Sequence, residues 1–83
     1  MTVTVYTNPN CTQCEMTKRF LNGEGIHYNV ENLQAEENYD KLVYFVNHGH
    51  RAAPVVVTDN DTWSGYRLDK LKELAKELSN DNN

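Results

Sequence analysis

Apolar residues along this chain change their spacing from alternate positions to every third or fourth, and back again. Thr2-Val3-Thr4-Val5-Tyr6 alternates β-branched residues and predicts a strand. Thr7-Asn8-Pro9-Asn10 breaks it with turn-forming residues. Met16, Phe20 and Leu21 then supply the inward stripe of a helix that Gly23 and Gly25 stop. Its capping pair is either Asn10 with Gln13 or Thr12 with Glu15. Ile26, Tyr28 and Val30 alternate with polar residues and predict a second strand. Ala35, Tyr39, Leu42, Val43 and Val46 follow a helical period with one apolar stripe, ended near Gly49. Tyr39 falls on that stripe and reads as core; Tyr44 and Phe45 lie off it, with one of the two left exposed.

Pro54 precedes a third strand, Val55-Val56-Val57-Thr58. Asp59-Asn60-Asp61 is a polar turn, and Thr62-Trp63-Ser64 returns as the second arm of a hairpin. Leu68, Leu71, Leu74, Ala75 and Leu78 mark a last amphipathic helix, and Ser79 to Asn83 a polar tail that frays. The order β-α-β-α-β-β-α predicts an α/β fold. Its first strand–helix–strand unit makes a right-handed parallel crossover, and its last two strands an antiparallel hairpin. The result is a four-stranded mixed sheet flanked by three helices.

With 83 residues and no repeat or linker, residues 1–83 form one domain. The formal net charge of −4 argues against a nucleic-acid partner, because a phosphate backbone is repelled. No apolar run approaches the roughly 20 residues that span a bilayer, so a membrane role is not expected. The start, Met1-Thr2-Val3-Thr4-Val5, has neither a basic lead-in nor a long apolar core of a signal peptide. The cytoplasm is the compartment these features imply.

In a reducing compartment the two cysteines, Cys11 and Cys14, take on meaning. A disulfide between them closes too short a loop to be a useful staple, since the entropy it removes grows with loop length. A pair that opens and closes is the better use, and Cys-X-X-Cys at a strand-to-helix turn points to redox chemistry. A thiolate at a helix start faces unpaired backbone N–H groups and the positive end of the helix dipole, which favour S⁻ over SH. Cys11 therefore reads as the nucleophile and Cys14, one turn inward, as the resolving thiol. Lys18 and Arg19 add positive potential nearby and Glu15 opposes it. The alternative is half a zinc site completed from His27, His48 and His50, but the spacing matches no common finger and plain surface histidines are the simpler reading. A bridged iron–sulfur cluster shared across a dimer is weaker still. No metal is expected.

Three segments together give the chain a resemblance. Tyr6-Thr7, Cys11-Thr12-Gln13-Cys14 and Thr17-Lys18-Arg19 form the first, Ala53-Pro54-Val55-Val56 the second, and Trp63-Ser64-Gly65-Tyr66-Arg67 the third. In this order they resemble the NrdH-redoxins, glutaredoxin-like proteins of the thioredoxin fold, over nearly the whole chain. Thr12 stands where the family usually has Val, and Leu68 where a Pro often follows the third segment. The resemblance implies electron transfer from NADPH through thioredoxin reductase to class Ib ribonucleotide reductase, with the flavin (FAD) held by the reductase and no cofactor bound here beyond the Cys11–Cys14 disulfide. It implies a monomer, with Thr12, Gln13, Ala53, Pro54 and the stretch Trp63, Ser64, Gly65, Tyr66 and Arg67 facing partners.

An X-Pro bond is usually trans. The resemblance implies instead a cis Ala53–Pro54 bond that turns the Ala53 backbone toward Cys11, where an extended target segment can pair with it. It also implies that Trp63 anchors an ordered loop, that Ser64 and Arg67 hydrogen-bond toward the second helix, and that Tyr66 shows an exposed face to the reductase. The bland reading of that stretch is a hairpin end with its aromatic on the core and a helix start. Arg51 and Arg67 could dock an acidic surface, although isolated exposed arginines are usually just solvated. The enzymatic alternative is a glutathione-dependent glutaredoxin, whose glycine-rich acidic turn is here replaced by the bulkier, basic Ser64-Gly65-Tyr66-Arg67. The alternative from another class is a metal-binding or regulatory module.

Overall fold

The structure, a computed structural model, describes residues 1–81. The elements run β1 (Thr4–Thr7), α1 (Thr12–Gly23), β2 (Asn29–Asn32), a short 3-10 turn (Glu36–Asn38), α2 (Tyr39–Asn47), β3 (Val55–Val57), β4 (Thr62–Ser64) and α3 (Leu68–Asp81). The sheet order is β2-β1-β3-β4. β1 and β2 are parallel, while β1–β3 and β3–β4 are antiparallel. This is the expected four-stranded mixed sheet with three helices.

Alternation along the strands sorts the core into two halves. Val3, Val5, Val56 and Trp63 join Leu21 of α1 and Leu71 and Leu74 of α3 in one cluster. Tyr6 and Val55, each one residue out of phase with those, join Leu33 and Phe45 of α2 in the other. β1 is thus covered on both faces, as a central strand must be. Each fully buried Val or Leu contributes about 1.5–3 kcal/mol of transfer free energy.

Several local expectations are corrected. β1 starts at Thr4 and reaches Thr7, two residues later than the Val-rich run begins and one residue past Tyr6. In α1 the buried positions are Cys14, Thr17 and Leu21, and Met16 is 39% exposed. Thr17 can sit inside because its hydroxyl donates to Gln13 O at 2.9 Å. β2 is shifted to Asn29–Asn32; Ile26 and Tyr28 pack on the core from the approach to it, and Val30 is exposed. β3 ends at Val57, because Thr58 turns to cap the hairpin with its hydroxyl, which accepts from the N–H groups of Asn60 and Asp61. α3 is helical through Asp81, past Ser79, where the sequence predicts the polar tail to begin; Asn82 and Asn83 lie outside the described residues.

The largest correction concerns α2. Phe45, not Tyr39, is its buried aromatic, with Tyr39 64% exposed and Phe45 only 4%. Asn38 holds the inward position at its start, donating from Nδ2 to Asn32 O (2.8 Å) and Glu31 Oε1 (3.1 Å).

Two ion pairs fasten the hairpin and α3. Lys70 Nζ lies 2.9 Å from Asp61 Oδ2, and that hydrogen bond holds the Asp61 carboxyl below its usual value. Arg67 grips Asp69 with both arms of a fork, Nε to Oδ1 at 3.0 Å and Nη2 to Oδ2 at 2.8 Å. This hydrogen bonding lowers Asp69 to about 2. A carboxyl with a depressed native pKa stabilises the fold above its ordinary value of 3.8 and loses that contribution as the pH falls through about 2. Urea midpoints measured across that window should therefore fall more steeply for the native chain than for Asp69→Asn. Equal slopes would show that the fork adds nothing to folding.

Candidate active site

β1 carries the chain to the helix start, and the turn between them sets the sulfur positions. Asn10 takes a left-handed conformation (φ 57°), which Asn tolerates better than most residues, and points the chain into α1. Cys11 is then the N-cap, with extended backbone (φ −109°, ψ 103°). Its Sγ accepts from the Cys14 N–H at 3.1 Å, and its carbonyl accepts from the Glu15 N–H at 3.2 Å. Sulfur thus does here what Ser or Asp oxygen does at other N-caps, and neither capping pair read from the sequence is used. Cys11 and Cys14 are joined in a disulfide with Cα atoms 5.2 Å apart. Cys11 is half-buried, whereas Cys14 is 1% exposed. The outer sulfur can be approached and the inner one is shielded.

Pro54 is buried and the Ala53–Pro54 bond is cis. Tyr6 pairs with Val55, which puts Pro54 beside the end of β1 that leads to the dithiol. The following hairpin closes the site through three consecutive residues. Ser64 Oγ and His50 Nδ1 form a hydrogen bond of 3.2 Å. The Gly65 N–H donates to Pro54 O at 2.8 Å, and the Tyr66 N–H donates to Gln13 Oε1 at 2.8 Å. One short segment is tied to the loop after α2, to the proline and to the dithiol helix. Gly65 has φ 82°, a conformation that favours glycine, and a Cβ there would stand 3.3 Å from Gln13 Oε1, close enough that this side chain would have to shift.

The remaining candidates divide. Trp63 is 4% exposed and anchors the segment in the α1/α3 core. Ser64 does reach toward the end of α2, through His50. Arg67 does not; it is held by Asp69 in the first turn of α3, which it precedes. Tyr66 is half-buried and packs against the core, so it offers only part of its ring outward. Thr12 is exposed beside Cys11. Lys18 pairs with Glu15 at 2.6 Å, which offsets its charge, and Arg19 is exposed. His50 reads as a surface histidine from its neighbours in sequence, yet it is half-buried and bonded to Ser64 of β4, a partner on another element that no local pattern reveals. Among the described residues, no group of three or more His, Cys, Asp and Glu side chains is placed to hold a metal ion.

The Gln13 clamp makes a direct prediction. Gln13→Ala should cost at most about 1 kcal/mol, because the bond is exposed, yet should speed hydrogen exchange of the Tyr66 amide. Unchanged exchange would mean that Tyr66 is held by something else.

Residues 3–63 match the family described as Glutaredoxin. This chain belongs to the glutaredoxin family. It is 38% identical over 73 residues to the glutaredoxin-like protein NrdH of Lactococcus lactis subsp. cremoris, covering 88% of this chain and 99% of that one. It is 40% identical over 74 residues to the gene 56 protein of Mycobacterium phage L5, covering 87% and 70% of the two chains. Among solved structures it is similar to the NrdH-redoxin of Escherichia coli, with a TM-score of 0.80 at 31% identity over 89% of this chain and 95% of that one. This glutaredoxin-family redoxin is a thiol–disulfide oxidoreductase of the NrdH-like kind, with Cys11–Cys14 as its redox pair. No helix among its described residues is long and apolar enough to cross a membrane.

Proposed function

We propose that this glutaredoxin-family protein carries electrons from NADPH, through a thioredoxin reductase, to a protein disulfide, with class Ib ribonucleotide reductase as the target. It works as a monomer in the reducing cytoplasm. The observation that carries this reading is the N-cap geometry of Cys11, whose sulfur already accepts from the Cys14 N–H. After reduction the same amide meets the thiolate and favours it.

In the reduced protein the Cys11 thiolate attacks one sulfur of the target disulfide. A Cys11–target disulfide forms, and the other target sulfur leaves as a thiolate and takes a proton. Cys14 then loses its proton and attacks Cys11 Sγ. The Cys11–Cys14 disulfide forms and the second target thiol is released. Two electrons and two protons have passed to the target. The reductase, which holds the flavin, returns two electrons from NADPH to the disulfide.

Thr12 and Gln13 contact the partner around Cys11, and the Ala53 and Pro54 backbone lines the approach on the other side. The segment from Trp63 to Arg67 shapes the edge of this surface. Its Gly65 and Tyr66 amides are already paired with Pro54 O and Gln13 Oε1, so neither is free to receive the carboxylate of a glutathione. This favours a protein donor of electrons over glutathione. Coupled assays separate the two. NADPH oxidation through thioredoxin reductase is the expected result; turnover only with glutathione and glutathione reductase would overturn the assignment of the electron donor.

A further inference from the structure

α2 carries apolar side chains on two sides. Leu42 and Phe45 face the sheet. Tyr39 (64% exposed), Tyr44 (56%) and Val43 (39%) face away from it, where helical spacing also puts Asp40 and Asn47. His48 stacks on the Tyr44 ring at 4.0 Å between centroids and so holds that ring in place. Three large apolar side chains on the outward side of a nine-residue helix have no role in the core.

Acidic residues gather around the start of the same helix: Asp40 on its outward side, Glu36 and Glu37 exposed in the turn before it, and Glu31, bonded to Asn38, on β2. Residues 31–47 contain Glu31, Glu36, Glu37 and Asp40 against Lys41 alone, four acidic less one basic, or −3 of the chain's −4. The rest of the chain has eight acidic and seven basic residues, which nearly cancel. The sheet-facing side of the same helix reaches the dithiol turn: Asn8 of that turn, Leu42 and Phe45 of α2, and Ala53 beside the proline line one small cavity of about 50 Å³. A partner on the outward face is thus one helix diameter, roughly 10 Å, from that turn, a span that a linker to the disulfide must bridge.

We propose that the outward face of α2 docks a basic, arginine-bearing segment of the protein whose disulfide Cys11 attacks. This deepens the reading above and rests on it. Guanidinium planes stack on tyrosine rings and pair with carboxylates, which an acidic face with exposed Tyr39 and Tyr44 can offer together. Exposed charges act mainly through the rate of encounter, so the effect belongs in kcat/KM and weakens with salt.

The test uses two synthetic disulfide peptides of equal length, one with an arginine-rich tail joined to the disulfide by a flexible linker, the other with glutamine in place of arginine. The pre-reduced protein should reduce the arginine peptide about tenfold faster at low ionic strength, and the advantage should vanish at about 1 M salt. Glu36→Gln/Glu37→Gln/Asp40→Asn should abolish the advantage and Tyr39→Ser/Tyr44→Ser should reduce it severalfold. Both variants should reduce bis(2-hydroxyethyl) disulfide at the native rate, which confirms that they fold. Equal rates for the two peptides with the native chain, or an advantage that survives the charge change, would overturn the proposal. So would dimers in sedimentation that Tyr39→Ser/Tyr44→Ser dissolves, since a second copy would then own the face. Failure of the native chain to reduce even the small disulfide would instead sink the redoxin reading beneath it.

Discussion

Cys11→Ser should abolish disulfide reduction, whereas Cys14→Ser should stop it one step later with the target caught on the protein. The two sulfurs are separated by access. Cys11 is half-buried at the helix start, while Cys14 is 1% exposed behind it. Only Cys11 can make the first attack on a protein disulfide. A serine hydroxyl at neutral pH is no substitute for a thiolate, so the loss in rate should be on the order of 10³-fold or more. Serine at Cys14 fits the buried site but cannot attack Cys11 Sγ, and the mixed disulfide accumulates. Intact mass spectrometry under non-reducing conditions should find one target molecule per Cys14→Ser chain and none on Cys11→Ser. In the reduced native protein, iodoacetamide should label Cys11 ahead of Cys14. A target held through Cys14 in the Cys11→Ser variant at a comparable rate would reverse the roles.

The order of elements and the place of the dithiol were legible because both depend on neighbours in sequence. Strand alternation, turn residues and the two-residue gap between Cys11 and Cys14 are local signals. What the pattern misread depends on phase and on polar partners. Tyr39 and Val43, four apart, fit an apolar stripe on paper, but in α2 they share the outward side, and the inward side runs through Asn38, Leu42 and Phe45. A polar residue opens that side, and Asn38 can sit there because its amide makes two hydrogen bonds to residues of β2 that no apolar pattern encodes. Thr17 carries no apolar signal in the sequence, yet it is fully buried because the Gln13 carbonyl takes its hydroxyl. The ties that build the site were out of reach for a different reason. Gln13 and Tyr66 are 53 positions apart, and only the folded hairpin brings them together.

Trp63→Ala should be the most costly single change outside the dithiol. The ring is 4% exposed and sits in the cluster with Val56, Leu21, Leu71 and Leu74, so it joins β4 to both helices of that face. Emptying such a site costs about 3–5 kcal/mol, a large part of the roughly 5–15 kcal/mol that holds a small domain together. At about 4–8 °C per kcal/mol for a chain of this size, Tm should drop by about 12 °C or more. Trp63→Phe should behave differently. Trp63 Nε1 is buried with no hydrogen-bond partner among the described residues, a donor that folding strips of water without return. Phenylalanine keeps most of the apolar contact and removes that donor, so its loss should stay below about 1.5 kcal/mol. The segment Ser64–Tyr66 begins at this anchor, so the alanine variant should also expose the Tyr66 amide to exchange even where it remains folded, while the phenylalanine variant should not. Urea midpoints and amide exchange for the two variants decide the matter. If Phe costs as much as Ala, the indole N–H is satisfied and packing alone does not explain why a tryptophan stands there.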